Sequence, residues 1–489
     1  MTCRHKIIAA IAAATLAIVA TSCSGKPEVL ESVPATATTV VRVDLERFLT
    51  EAGCTVNDEG ITLSDDLRQA LDTATSARAA AADIFTRIKG LSLQTAVYFE
   101  MPDVEGGVLV LPVDDDEAVE SLSKPEMKLI KDKDHGFVTF TDAERKASVA
   151  INDNLCWMAA LDPDATMALA KKARRAAKKE SIADIKWKAD ALADDVPLRA
   201  IISIGETHTD IFGDNAYQSA YACVASGDGD SLLNIKAHIA DADGNRLPPF
   251  PTPGAIDPDF IRFLSECHNV VAAIAIAEDF NWDAFLDSEG KSLPSANKIF
   301  MSSMEPHLRN IDGTIAVGLR IDFDNLSTDS LDFCVVVKMK AGGADGVIDK
   351  IREMAAESRQ QLAMRDGFIR LPLENRTLRI GKIDNYLIVA NHQPETAAGC
   401  AVAPDLFSGK CAAMVAKGLS ADKSLDFTLT STADDSLLRI TADGSAKGAL
   451  PKLIKFLLAK SNGDSGLRQL FGSDDEDFAD DYPKNLIEL

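Results

Sequence analysis

Apolar residues along this chain recur with two periods. Between Ser64 and Lys89 they fall at positions 67, 70, 71, 74, 77, 81, 84, 85 and 88, the spacing that keeps one face of a helix apolar. Acids open that stretch, Lys89 closes it and Gly90 stops it, in keeping with a helix dipole. Val347, Ile348, Ile351, Met354 and Ala355 make a similar stripe, and a Leu/Lys-rich stretch after Gly448 predicts another helix. Elsewhere the apolar residues gather in short runs that predict strands, among them Thr39–Leu45, Thr95–Phe99, Gly107–Leu111 and Val270–Ala277. Asp153-Asn154 and Asp384-Asn385 each stand between two such runs. Both residue types tolerate positive φ, so each pair predicts a hairpin turn. Strands in hairpins with one-sided helices argue an α+β fold.

The pattern occurs twice. Asp134-His-Gly-Phe-Val corresponds to Arg365-Asp-Gly-Phe-Ile, Ile151-Asn-Asp-Asn-Leu to Lys382-Ile-Asp-Asn-Tyr, and Asp162-Pro-Asp to Gln393-Pro-Glu. Each match lies 231 residues apart, from 134 to 365, 151 to 382 and 162 to 393. Pro163 and Pro394 each suit the first position of a helix, with Asp162 a better cap than Gln393. With looser spacing, Thr39–Leu45 resembles Val270–Ala277, Thr95–Phe99 resembles Thr314–Leu319, and Gly107–Leu111 resembles Phe333–Lys338. Asp230-Ser-Leu-Leu-Asn-Ile likewise resembles Asp435-Ser-Leu-Leu-Arg-Ile. The expected architecture is two duplicated halves, each an antiparallel sheet backed by helices. The halves are 35–240 and 258–448, joined by a Pro-rich linker at 241–257 and followed by a C-terminal helix and acidic tail at 449–489.

The N-terminus carries an address. Arg4 and Lys6 precede an uncharged apolar run from Ile7 to Ala20, too short to span a bilayer comfortably. Ala20-Thr21-Ser22-Cys23 follows and resembles a bacterial lipobox, with Ala20 where a larger aliphatic residue is usual. That resemblance predicts a signal peptide at 1–22, lipid on Cys23 and a tether at 23–34. Ala20-x-Ser22 also satisfies the small-x-small rule of an ordinary secretory signal. Ser24 in place of aspartate favours the outer membrane by resemblance, with the leaflet open. Together with the strand opening Pro34-Ala-Thr-Ala-Thr-Thr-Val-Val-Arg-Val-Asp-Leu and the duplicated body, this is similar to uncharacterised lipoproteins of Bacteroides-type bacteria. The resemblance points to a large family defined only as a domain of unknown function, of similar length, and it implies no catalytic residues.

Charge narrows the partners. The chain carries a net charge of −24, becoming −26 once Arg4 and Lys6 leave. Such a surface repels nucleic acid and anionic headgroups, so the lipid must supply membrane affinity. The exception is Lys171-Lys-Ala-Arg-Arg-Ala-Ala-Lys-Lys, where Lys171, Arg174, Arg175 and Lys178 are expected to share a helix face. It reads either as a solvated face that suits the helix dipole or as a dock for an anionic lipid or acidic partner.

Candidate chemistry is sparse. Glu206, His208 and Asp210 alternate after the strand Leu198–Ile204 and would share one face, a candidate metal or acid/base site. No second histidine stands at ligand spacing. Asp228-Gly-Asp230-Ser231 and Asp241-x-Asp243-Gly244-Asn245 lack the closing glutamate of a calcium loop. Cys267-His268 reads as a buried thiol beside a loop imidazole, and Trp157, matching Ile388, as core. After lipidation seven cysteines remain, at 54, 156, 223, 267, 334, 400 and 411, with Cys400 and Cys411 the pair considered for a bridge. The expectation is a non-enzymatic lipoprotein with no cofactor, bound to the membrane through its anchor and to an envelope protein, lipid or polymer. The alternatives are a metal-dependent hydrolase using Glu206, His208 and Asp210, and a carrier of lipid or another hydrophobic ligand.

Overall fold

A computed structural model describes residues 29–462 except 58–59, 66–67, 69–85, 93–94, 103–106, 124–126, 132–135, 143, 145–146, 160, 194–195, 206–219, 227–230, 248–253, 279, 281, 283–304, 323–331, 358, 360–361, 374–375, 393–401, 421 and 446–447. The described residues fall into two compact units. The first holds those within 29–205, 220–246 and 444–462, and the second those within 247–443.

Strands of the first unit are β1 (Thr39–Val43), β2 (Thr55–Asn57), β3 (Gly60–Thr62), β4 (Ala96–Glu100), β5 (Gly107–Pro112) and β6 (Lys128–Lys131). There follow β7 (Val138–Thr141), β8 (Ser148–Asn152), β9 (Leu155–Ala159), β10 (Leu198–Gly205), β11 (Ala220–Ser226) and β12 (Asn234–Ala240). Apart from the small β2–β3 hairpin, they pair antiparallel in the order β6-β7-β8-β9-β5-β4-β1-β10-β11-β12. A short strand, β13 (Arg246–Leu247), stands at the end of this stretch of chain.

The second unit contains β14 (Val270–Ala275), β15 (Ile311–Arg320), β16 (Asp332–Met339), β17 (Ala363–Arg365) and β18 (Phe368–Leu373). It continues with β19 (Arg376–Ile383), β20 (Tyr386–Ala390), β21 (Ala412–Ala416), β22 (Leu425–Ser431) and β23 (Ser436–Ala442). Their antiparallel order is β17-β18-β19-β20-β16-β15-β14-β21-β22-β23. Taken in chain order, the ten strands of one succession match the ten of the other position for position. Both units are mixed α+β.

The hairpins form where the turn chemistry predicts. Asp153 and Asn154 adopt φ of 52° and 58° between β8 and β9, and Asp384 adopts 53° between β19 and β20. Asp366 and Gly367, at 55° and 82°, make the equivalent two-residue turn between β17 and β18. The Asp434-Asp435-Ser436 stretch closes the β22–β23 hairpin, where Thr432 N–H donates to Asp435 O at 2.9 Å.

Helices of the first unit are α1 (Leu45–Glu51), α2 (Asp115–Leu122), α3 (Pro163–Ala177) and α4 (Lys186–Ala191), with α5 (Gly343–Glu357) in the second and α6 (Ala449–Asn462) returning to the first. Asp162 caps α3, accepting from the N–H groups of Asp164 at 2.9 Å and Ala165 at 3.0 Å, and Pro163 occupies the first turn. An Asp162→Ala variant should therefore lose about 1 kcal/mol, seen as a lower urea midpoint with an unchanged slope. Leu169, Ala170 and Ala173 of α3 pack on a core that holds Trp157, Phe99, Val110 and Phe137. In α5 the predicted stripe is in place: Val347, Ile348 and Ala355 are buried. The C-terminal helix α6 clusters with the first unit, and its Leu450, Leu453 and Ile454 are buried. Pro451 lies alongside Gly53 there.

Several expectations fall outside the described residues: the signal peptide and Cys23, most of the predicted helix 64–89, Pro394, Cys400 and the acidic tail. Cys411 is a free, buried thiol whose Sγ lies 3.2 Å from Ser431 O and 3.1 Å from Thr432 O. No helix among the described residues is long and apolar enough to cross a membrane.

Candidate functional site

The basic stretch of α3 lines a cavity of about 910 Å³. Lys171, Lys172, Arg175, Lys178 and Lys179 rim it, with Glu180 the acid among its lining residues. Ala168 and Ala176 of the helix and Ala35 and Thr36 of the entering chain complete the wall. The helix turns about 100° per residue, so the buried stripe of Thr166, Leu169, Ala170, Ala173 and Ala177 leaves these cations on the opposite face. One expected member is absent. Arg174 lies on the other flank of the helix, where it bonds to Asn152 and pairs with Asp153 in the β8–β9 turn. Its guanidinium also sits 5.7 Å from the centre of the Phe137 ring. Arg174 is thus a structural cation that pins a hairpin to α3.

The far wall is built by the N-terminal segment. A 3-10 turn, Val29–Ser32, packs on α3, and Val29 and Val33 join the core of this unit. Ala35 N–H then donates to Glu180 O at 3.0 Å, and Ile182 N–H to Val33 O at 2.9 Å. Lys188 braces this wall from below: its Nζ donates to Ala35 O at 3.3 Å and lies 4.9 Å from the centre of the Tyr221 ring. Burial pulls the Lys188 pKa below its ordinary value, against the opposing pull of Glu180. The role of Ala35, Thr36 and Lys188 was not readable from the chain, because their partners lie far away in sequence.

Two polar clusters occupy the second unit. Asp257 accepts from Lys338 Nζ at 2.6 Å and from the Tyr386 hydroxyl at 3.0 Å. Burial alone would raise the Asp257 carboxyl, but these donors and Asp259 N–H hold it below its usual value. Arg262 pairs with Asp384 at 2.6 Å and stacks 4.7 Å from the Phe263 ring centre. Each of these charges meets a partner, which describes a structural tie. The other cluster corrects the reading of Cys267-His268: the thiol is part-exposed and the imidazole is the buried partner, at 1% exposure. His268 Nδ1 accepts from Ser265 N–H at 3.2 Å, and its ring stands 5.0 Å from that of His392 at 63°. Strand β15 passes so close beneath it that a Cβ on Gly318 would come within 2.7 Å of Nδ1.

No family model matches the chain, and no curated protein does. Among solved structures, crystal form I of TP0453 is similar at 9% identity over 46% of this chain and 81% of that one, with a TM-score of 0.27. Crystal form III of TP0453 gives 8% identity over 75% and 93%, with a TM-score of 0.19. Neither likeness is close enough to inform fold or function.

Glu206, His208 and Asp210 lie outside the described residues, as does Asp228-Gly-Asp230. Among the described residues no group of three or more His, Cys, Asp or Glu could hold a metal ion. Asp241 instead closes its own turn, accepting from Asp243 N–H at 2.9 Å and Asn245 N–H at 2.8 Å. Trp157 is buried at 1% exposure, and Ile388, its match 231 residues on, at 0%.

Proposed function

We propose that this protein is a membrane-anchored envelope lipoprotein with a non-enzymatic binding role, most simply at the outer membrane. The observation that carries the reading is the sequence Ala20-Thr21-Ser22-Cys23 set directly after a basic residue pair and a short apolar run. The described residues begin at Val29, six residues beyond Cys23, and a chain of that length would keep the lipid within about 22 Å of Val29. The cation-lined cavity on α3 supplies a binding surface of defined charge in an acidic protein. On this reading the body is a duplicated α+β scaffold of the Bacteroides lipoprotein type. The matching strand orders and the repeats 231 residues apart support the duplication.

The reading is tested on Cys23. Mass analysis of the N-terminal peptide from membranes should show a diacylglyceryl- and acyl-modified cysteine. A Cys23→Ala variant should move from the membrane to the soluble fraction, since an acidic body has no other strong attraction to lipid. Membrane retention of that variant would sink the proposal.

A further inference from the structure

The first described residues of the chain lie beside the basic cavity. The first described turn, Val29–Ser32, packs on α3 itself. Six residues separate Cys23 from Val29, and an extended chain spans at most about 3.6 Å per residue, so the lipid stands within about 22 Å of that turn. The next residues of the same segment, Ala35 and Thr36, are the wall of the cavity. A lipid on Cys23 would keep this end of the first unit within that reach of the bilayer.

Charge points to the same orientation. The protein carries −24 overall, yet no acid occurs between Ala165 and Lys179, where six of its 51 Lys and Arg residues stand. Screening limits the interaction to charges within about 8 Å of the membrane at physiological salt. The acidic remainder then repels weakly, while the rim of α3 meets the headgroups. Ala168, Ala176, Ala35 and Thr36 add uncharged residues to the lining beside the cations. Without the tether, such a patch would bind weakly. With it, encounter is intramolecular and the effective concentration is high.

We infer that the Lys171–Lys179 face of α3 seats on phosphate-bearing headgroups of the membrane in which Cys23 is anchored, fixing how the body stands on the bilayer. This rests on the lipoprotein reading. The test uses the lipidated, full mature protein in vesicles of phosphatidylcholine, with and without phosphatidylglycerol, and follows acetylation of individual lysines by mass spectrometry. Acetylation of Lys171, Lys172, Lys178 and Lys179 should fall several-fold in the anionic vesicles and recover in high salt, while that of exposed Lys340 stays constant. Lys172 and Lys179 are both exposed, so a Lys172→Glu/Lys179→Glu variant should fold, remain anchored, and label alike at Lys171 and Lys178 in both vesicles. Equal labelling of the unmodified sequence in both vesicles, with lipid on Cys23, would overturn the inference and leave the anchor intact. Protection by glycerol phosphate in neutral vesicles would overturn it in favour of a soluble phosphate ligand. An unlipidated Cys23 would remove the lipoprotein reading, and this inference with it.

Discussion

Lowering the pH from about 7.5 to about 5 should cost the second unit about 2 kcal/mol of stability that a His268→Asn variant does not lose. The cause is a buried neutral imidazole. Burial first, then the neighbouring His392, pulls the His268 pKa from 6.5 down to about 4, with Asp332 opposing. In the unfolded chain the same group titrates at its ordinary value. Between these two values the unfolded state holds a proton that the folded state lacks, so stability rises with pH across that window. The contribution is complete above about pH 6.5 and is lost as the pH falls toward 4, for a total of about 3 kcal/mol. Protonation at Nδ1 would also end the bond from Ser265 N–H. Asparagine places an acceptor where Nδ1 stands but carries no titrating group, so it separates this effect from the general titration of carboxylates. Urea unfolding of both proteins at the two pH values makes the comparison. Parallel losses in both would show that His268 does not carry the effect.

Truncating Trp157 to alanine should destabilise the first unit by about 3–5 kcal/mol, the usual cost of removing a large buried aromatic side chain. Trp157 is among the largest fully buried side chains, at 1% exposure. It pairs with Ala150 on β8 and Val110 on β5, and its ring meets that of Phe99 edge-on at 6.5 Å. One feature tempers the loss. Among the described residues the indole Nε1–H is buried without a hydrogen-bond partner, an unsatisfied donor already in the wild type. Trp157→Phe removes that donor and keeps most of the ring, and should cost much less than the alanine. Denaturant titration of the two variants checks this order. A Trp157→Ala loss below about 1 kcal/mol would mean the site refills, contrary to a close-packed core.

Much of this architecture was legible from local signals. Asp153-Asn154 and Asp384-Asn385 marked hairpins because a two-residue turn requires positive φ, which is a property of the turn residues themselves. Asp162-Pro163 marked the start of α3 because a cap bonds to amides two and three residues ahead. The candidate site was legible as a run of charge, since Lys171 to Lys179 stand out as basic in an otherwise acidic chain. Its membership was not. Arg174 shares that run but bonds to Asn152 and Asp153, while Lys188 and Ala35, which lie outside it, shape the cavity.

By itself, then, the sequence determined the hairpin turns, the helix cap, the doubled pattern and the basic run, each of which depends on residues within a few positions of one another or on simple recurrence. Only the tertiary structure decided which cations line the cavity, that His268 rather than Cys267 is the buried partner, and that α6 joins the first unit. Those outcomes turn on burial and on bonds between residues tens to hundreds of positions apart. Hydrophobic period and turn chemistry carry no information about which distant backbone will close over a side chain.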